Sequence, residues 1–231
     1  MRTAALLFTC ALGVVASRHE TFSPARYRSG TVPTLPAMVV GGGQVILEVT
    51  VNPAGQVATI APLRTTPPFT DLTAAAVRDW QFVPAEDVAV HAQRRQRPSR
   101  SAVESKVLVV AVFRPAALNA PTLGEPPRDV AAASDEIAFP LTISMPPFPP
   151  SAAGGGAVLL EARVDSSGSV SDTTVIHSAP PFDVAARAAL AQWRFRSARV
   201  HGAPAPMFVY VLFGFPLPVS HSPGGRRDGK N

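Results

Sequence analysis

Five histidines, one pair of glutamates and two glycine runs are the residues of this 231-residue chain whose types could carry chemistry. His19, His91, His177, His201 and His221 could ligate a metal, but metal ligands come at short, regular spacings and these are scattered along the chain. Glu48 and Glu161 could serve as a general acid and base. Both alternate with apolar neighbours, a pattern that reads as the solvated face of a sheet. The runs Gly41–Gly43 and Gly154–Gly156 have the glycine content of a phosphate loop, yet each leads into a strand pattern. A phosphate loop needs a helix N-terminus there, so the runs read as turns. Cys10, the lone cysteine, lies in an apolar leader after Phe8-Thr9, a poor lipidation motif, and reads as a small apolar residue of that leader. No catalytic, cofactor or metal residue is assigned, and the chain is expected not to be an enzyme.

The element that organises the chain is a repeat. A shift of 113 positions lays Gly43 on Gly156, Val45 on Val158, Leu47-Glu48 on Leu160-Glu161, and Gly55-x-Val57 on Gly168-x-Val170. The same register carries Pro67-Pro68-Phe69 onto Pro180-Pro181-Phe182 and Trp80-x-Phe82 onto Trp193-x-Phe195. Both tryptophans therefore occupy one position used twice, and the repeat divides the chain into two small units.

In each unit, apolar residues at every second position mark a strand with one face buried: Val45, Leu47, Val49 and Val51, then Val158, Leu160, Ala162 and Val164. Asn52-Pro53-Ala54-Gly55 and Asp165-Ser166-Ser167-Gly168 are turns, so each strand returns as a hairpin, with Gly55 and Gly168 expected at positive φ. The following prolines end the ladder. Alanine-rich helical segments reach Trp80 and Trp193, with Thr70 and Asp183 as expected N-caps. Thr73, Ala76, Val77 and Trp80, matched by Ala186, Ala189, Leu190 and Trp193, form one apolar helix stripe. Trp80, Phe82, Trp193, Phe195, Gly55 and Gly168 are thus expected to be structural.

A third strand closes each unit, Lys106–Phe113 in the first and Met207–Phe215 in the second. A helix that crosses back over the sheet makes this strand antiparallel to the first and leaves its outer side as an edge. Such an edge, rich in β-branched and aromatic residues, offers unpaired backbone groups to a peptide. The expected binding residues are Met207, Phe208, Val209, Tyr210, Val211, Leu212 and Phe213, with Lys106, Val107, Leu108 and Val109 in the first unit. Before Lys106 the first unit inserts an arginine-rich stretch, His91 to Arg100, which reads as a solvated loop.

The fold class expected is α+β: two tandem small β-β-α-β units, each a three-stranded antiparallel sheet packed on one helix. The boundaries are 1–17 for a signal peptide or short anchor, 18–34 for a flexible lead-in, 35–114 and 137–217 for the two units, 115–136 for a linker and 218–231 for a disordered tail. Residues 1–17 have the positive start, short apolar core and small terminal residues of an export signal, and the run is too short to span a bilayer. Arginine supplies 19 of the 21 positive charges, scattered over an Ala/Pro/Gly-rich background without a recognition module, so no nucleic-acid partner is expected.

The second unit resembles the TonB C-terminal domain, the periplasmic module of energy transducers that couple an inner-membrane motor to outer-membrane transporters. Phe148-Pro149-Pro150-Ser151-Ala152 resembles the opening aromatic-Pro-x-x-Ala of that family, and Gly156–Val164 with Gly168-x-Val170 resembles its hairpin. Phe182-Asp183 to Ala188 and Trp193-Arg194-Phe195-Arg196-Ser197-Ala198 resemble its helix and Trp-x-Phe-x-Pro-Ala ending, and Gly202-Ala203-Pro204 the Gly-x-Pro before its last strand. The first unit resembles it through its hairpin and Trp80-Gln81-Phe82-Val83-Pro84-Ala85. The resemblance implies two tandem copies, no cofactor, a location in the periplasm or cell envelope, and an outer-membrane TonB-dependent transporter as partner. The transporter's N-terminal peptide would add to the third strand, and an inner-membrane motor complex is a further partner if the leader stays attached. Family transducers usually have a long anchor and a Pro-rich spacer; the short leader and short 18–35 region depart from that pattern, so force transmission is not carried over. The alternative is a structural or assembly protein of the envelope whose two units pair with each other through their third strands and bind no transporter. Geometry separates the two, because paired third strands leave no peptide edge there.

Overall fold

The computed structural model describes residues 22–35, 41–88, 100–115 and 133–216. The leader 1–17, most of the linker, the insertion from His91 to Ser99 and the tail 218–231 lie outside the described residues. In the N-terminal half the elements are β1 (Phe22–Ser23), β2 (Arg26–Ser29), β3 (Gly43–Val51), β4 (Val57–Arg64), α1 (Phe69–Arg78), β5 (Gln81–Val83), β6 (Ala85–Val88), β7 (Arg100–Val103) and β8 (Ser105–Phe113). The C-terminal half has β9 (Phe139–Thr142), β10 (Gly156–Val164), β11 (Val170–His177), α2 (Phe182–Leu190), β12 (Arg194–Arg196), β13 (Ala198–Val200), β14 (Ala203–Ala205) and β15 (Met207–Phe215). Over the described residues the fold is α+β, with many strands and two helices.

Local chemistry recurs at the repeat spacing. Asn52 Oδ1 accepts the N–H groups of Ala54 and Gln56, both at 3.0 Å, and Asp165 Oδ1 accepts those of Ser167 and Ser169 at 2.8 and 3.0 Å. These side chains close the turns. Gly55 and Gly168 follow with φ +80° and +84°, and a Cβ on either would stand 2.0 or 1.9 Å from the carbonyl oxygen of Phe82 or Phe195. The missing Cβ lets the Phe82 and Phe195 N–H groups donate to the Gly55 and Gly168 carbonyls at 2.7 and 2.8 Å. Each turn is thereby tied to the strand that follows its helix.

The helix starts differ from expectation. The N-cap positions are Pro68 and Pro181, and neither helix has a side-chain cap bond. Thr70 and Asp183 sit inside the first turn and reach back, where Thr70 Oγ1 accepts the Thr66 N–H at 2.8 Å and Asp183 Oδ1 the Ala179 N–H at 2.9 Å. They fasten the entry loop to the helix rather than capping it.

The lead-in 18–34 was expected to be flexible; over residues 22–35 it is packed. β2 pairs antiparallel with β5, as β9 pairs with β12. Trp80 Nε1 donates to the Thr31 carbonyl at 2.8 Å and Trp193 Nε1 to the Ser144 carbonyl at 3.0 Å, each partner 49 residues upstream. A buried indole N–H needs an acceptor, and the lead-in supplies it. Likewise Ser134 is bonded to Glu48 of β3, so the end of the expected linker belongs to the packed structure, next to the fully buried Ile137 that opens the second unit.

The largest difference concerns the sheet. Two separate three-stranded sheets were expected. The strands instead form one six-stranded sheet in the order β11-β10-β15-β8-β3-β4, in which β8 and β15 are parallel neighbours. A parallel match of two like strands places the relating axis along the strands, so the second half is turned over and its helix covers the opposite face. Val45, Leu47, Val49 and Val51 face one core with Val107, Val109, Phe69 and Val77. Ile46, Leu108, Val110 and Val112 face the other, with Leu160, Ala186, Leu190 and Trp193. Without the second half those four side chains would be exposed. Full burial of one such side chain contributes about 1.5–3 kcal/mol, so together they bind the halves into one body.

Candidate functional site: the seam between the third strands

The residues expected to bind a peptide lie in the middle of the sheet, a correction to the expected edge. β15 pairs antiparallel with β10 along its whole length, and its other side pairs with β8 from Val209 beside Leu108 to Gly214 beside Phe113. β8 is in turn paired with β3. The backbone groups of Leu108–Phe113 and Val209–Gly214 are therefore taken up on both sides, while Lys106, Val107, Met207 and Phe208 are paired in the ladders to β3 and β10 and lie outside the one between β8 and β15. Their side chains are used as well: Met207, Val209, Tyr210, Val211, Leu212, Phe213, Val107, Leu108 and Val109 are all buried. Phe208 is partly buried beneath the Arg26 guanidinium, 4.6 Å from its ring centre, and Lys106 is half-buried in an ion pair. Among the described residues, the free edges of the six-stranded sheet are β4 and β11.

Glu48 and Glu161, expected on a solvated face, are 8% and 5% exposed. The face they occupy is covered by the other half. Glu161 takes a charged hydrogen bond from Arg26, and the Tyr210 hydroxyl donates to its Oε2 at 3.2 Å while accepting the Tyr27 N–H at 2.7 Å. Glu48 Oε1 pairs with Lys106 Nζ at 3.0 Å, and Oε2 accepts the Ser134 N–H at 2.9 Å. Each glutamate stands on the first strand of one half and holds the lead-in of the other. Through these donors the two carboxylates cross-link the halves. Burial, reinforced by the Glu161 charge, pushes the Tyr210 hydroxyl well above the usual tyrosine range, so it stays a donor.

Aromatic packing draws the same boundary. Tyr210, from the C-terminal half, stands edge-on to Trp80 at 6.0 Å and to Phe82 at 5.6 Å, and Tyr27 stands edge-on to Trp80 at 5.2 Å. Trp193 instead meets Phe195 and Phe213 of its own half at 6.0 and 5.8 Å. The structural residues Trp80, Phe82, Trp193, Phe195, Gly55 and Gly168 therefore fix the cores and turns, while Arg26, Tyr27, Glu48, Glu161 and Ser134 join the halves.

A signal for the seam exists in the sequence. Val107 to Phe113 and Phe208 to Phe213 are continuous apolar runs without alternation, the pattern of a strand buried on both faces as in a parallel pair. An exposed edge would have carried polar residues on one face. Arg26 and Tyr27 lie in a stretch without periodicity and carried no such signal.

Among the described residues no helix is long and apolar enough to cross a membrane, and no group of three or more His, Cys, Asp or Glu could hold a metal ion. Residues 146–217 match the family model described as Gram-negative bacterial TonB protein C-terminal. That span starts at Pro146 and ends beyond β15, so it contains the whole hairpin, helix and third strand of the C-terminal half. No curated protein matches the chain.

Proposed function

We propose that this chain is a non-enzymatic, TonB-like protein of the cell envelope with a structural or assembly role, in which the third strands hold the protein together instead of receiving a transporter peptide. The observation that carries this reading is the parallel ladder between β8 and β15, which uses the backbone groups a peptide would need. Opening that ladder would also expose Val209, Val211, Leu108 and Val110, all at most 1% exposed. Strand addition there would have to offset the loss of that burial. The family match over 146–217 supports the location and the domain type.

The same match favours a second reading, an adaptor that engages the N-terminal peptide of an outer-membrane transporter by strand addition and supports energy-coupled transport. In that reading β4 or β11 is the strand that must receive the peptide, since these are the free edges. Titrating the protein with such a peptide while following backbone amides separates the two. The structural reading expects no saturable shift at Lys106–Val109 or Phe208–Val211. Saturable shifts in those strands would overturn it, and shifts confined to Val57–Arg64 or Val170–His177 would establish the adaptor through a different edge.

A further inference from the structure

The β13–β14 hairpin reverses through two residues, His201 and Gly202, between the paired Val200 and Ala203. Both have positive φ, +51° and +76°, as a type I′ turn requires. Asn or Asp before Gly is the usual choice for that turn, and a histidine in the left-handed region is uncommon. What His201 adds over Asn is reach and a titratable charge. Its Nε2 lies 2.8 Å from Asp87 Oδ2, on β6 of the N-terminal half.

The two sides of this contact differ in rigidity. β6 is the middle strand of the β1-β6-β7 sheet, and Asp87 is paired with Phe22 on one side and Ser101 on the other. The hairpin is a two-stranded sheet with three residues in each strand, a size of marginal stability by itself. Its base is fastened, since Ala198 is buried and the Arg199 N–H donates to the Asp135 carbonyl at 2.8 Å. Its tip, His201 to Pro204, is exposed, and the Arg199 guanidinium closes that tip on itself by donating to the Gly202 carbonyl at 2.8 Å. The His201 ring carries the tip across to the other half. β14 leads through Pro206 into β15, whose first residues, Met207 and Phe208, lie outside the ladder to β8. The hairpin therefore stands where the seam between the halves begins.

The strength of the contact depends on one proton. A doubly protonated ring is a cation that donates at Nε2, and Asp87 then receives a charge-assisted bond. A neutral ring has lost that charge and donates at Nε2 in only one of its two tautomers. Among the described residues, the other ionisable groups around the contact are Arg199 of the same hairpin, Glu104 and Lys106 at the start of β8, and Asp135 and Glu136 before β9. Of these side-chain types, only histidine ordinarily changes charge between about pH 5 and 8.

We propose that His201 is a proton-operated clasp: its imidazolium, paired with Asp87, docks the β13–β14 hairpin on the N-terminal half, and loss of the proton releases the tip. The proton favours the docked tip, so docking is held at the acid end of the histidine range and lost as pH rises. The clasp rests on the fold alone and is independent of the role assigned to the third strands.

The test is an NMR titration of the full chain from about pH 5 to about pH 8. The backbone amides of Glu86, Asp87, His201 and Gly202 are expected to move along one curve. His201→Asn is expected to abolish the movement at Glu86 and Asp87, and Asn suits the turn, so this variant keeps its hairpin. The undocked population of the tip, read by relaxation dispersion at His201 and Gly202, is expected to rise up to about fivefold over the interval, the range of an exposed ion pair. In Asp87→Asn that population is expected to be constant and no lower than the wild-type value at the alkaline limit. His177→Asn, on β11, is expected to leave both responses unchanged. Movement at Asp87 that persists in His201→Asn assigns the response to another group and overturns the proposal. So does a tip population that stays constant with pH in wild type, or one that rises in Asp87→Asn as it does in wild type.

Discussion

Trp80 and Trp193 occupy one repeat position, yet they are enclosed by different owners. Trp193 is packed by Phe195 and Phe213 of its own half, and its indole N–H is bound within that half. Trp80 has the matching internal bond to Thr31 and the Tyr27 ring of its own half at 5.2 Å, but it also packs against Tyr210 of the other half at 6.0 Å. The third strands explain the difference. Aligning Phe113 with Phe215, which stack on Phe69 and Phe182 at 4.0 and 4.3 Å, puts Ala111 where the C-terminal half has Phe213. The N-terminal half thus lacks one large core side chain and obtains it from its neighbour. A repeated unit in a fused sheet can share its core, so equal sequence positions need not have equal roles.

The largest test of this comparison removes the indoles. Trp80→Ala and Trp193→Ala are each expected to destabilise the protein by about 3–5 kcal/mol, measured by denaturant unfolding. A double-mutant cycle then separates them. Trp80 with Tyr210 is expected to show coupling of about 0.5–1.5 kcal/mol across the halves, whereas Trp193 with Tyr210 is expected to show none. Equal coupling of Tyr210 to both tryptophans would break the comparison.

Filling the N-terminal half from within is the next step down. Ala111→Phe supplies the ring that Phe213 provides in the other half, but Tyr210 already occupies the neighbouring space and Ala111 is fully buried. Overpacking is expected to cost about 1–3 kcal/mol in wild type. The cost is expected to shrink when Tyr210→Ala is combined with it, and unfolding midpoints of the two variants and their combination measure this.

How much of this was legible depends on the range of the interactions. The hairpins, both helices and the two third strands follow from local signals, and Lys106–Phe113 and Met207–Phe215 were placed within one residue of β8 and β15. The positive φ of Gly55 and Gly168 followed from their place in the turns. What failed was everything decided by the other half. Glu48 and Glu161 alternate with apolar residues as solvated positions do; only the turned-over second half buries them. The lead-in has no periodicity because its order comes from contacts with distant elements, the short ladder of β2 to β5 and the bonds of Trp80 to Thr31 and Tyr27 to Tyr210, rather than from a regular apolar face of its own.

The cross-links give a smaller contrast. Arg26→Ala and Lys106→Ala each leave a buried carboxylate without its cation, at an expected cost of about 1–3 kcal/mol by chemical denaturation. The Lys106 side chain is 31% exposed and that of Arg26 56%, so solvent replaces Arg26 more readily and Lys106→Ala is expected to be the costlier change. The reverse order would show that the seam is held more firmly at Glu161 than at Glu48.

Tyr210 gives β15 a pH dependence that β8 does not share, since Leu108 stands at its aligned position there. Burial, together with Glu161, raises the Tyr210 hydroxyl above its unfolded value, and burial alone raises Tyr27. A group raised in the folded state keeps its contribution below the unfolded pKa and loses it as pH climbs toward the folded one. Stability is therefore expected to fall above about pH 10. Tyr210→Phe is expected to cost about 0.5–1.5 kcal/mol at neutral pH through its lost hydrogen bonds. It should also flatten the alkaline decline without abolishing it, because Tyr27 remains. An unchanged alkaline slope in Tyr210→Phe would remove Tyr210 from this account.

The smallest effect compares the two turns. Asn52 and Asp165 make the same pair of backbone bonds, but only Asp165 titrates. The Ser167 hydroxyl first, then the Ser169 N–H, hold its carboxyl below the usual range. A depressed carboxyl contributes stability above its unfolded pKa and loses it as pH falls through the folded value. Acidification is therefore expected to loosen the C-terminal turn before the N-terminal one, read from hydrogen exchange at Ser169 and Gln56. Asp165→Asn should remove the difference by giving the second turn the uncharged acceptor of the first. Asn52→Asp should transfer the acid sensitivity to the N-terminal half, and failure of that transfer would mean that the turn's surroundings, rather than its acceptor, set the response.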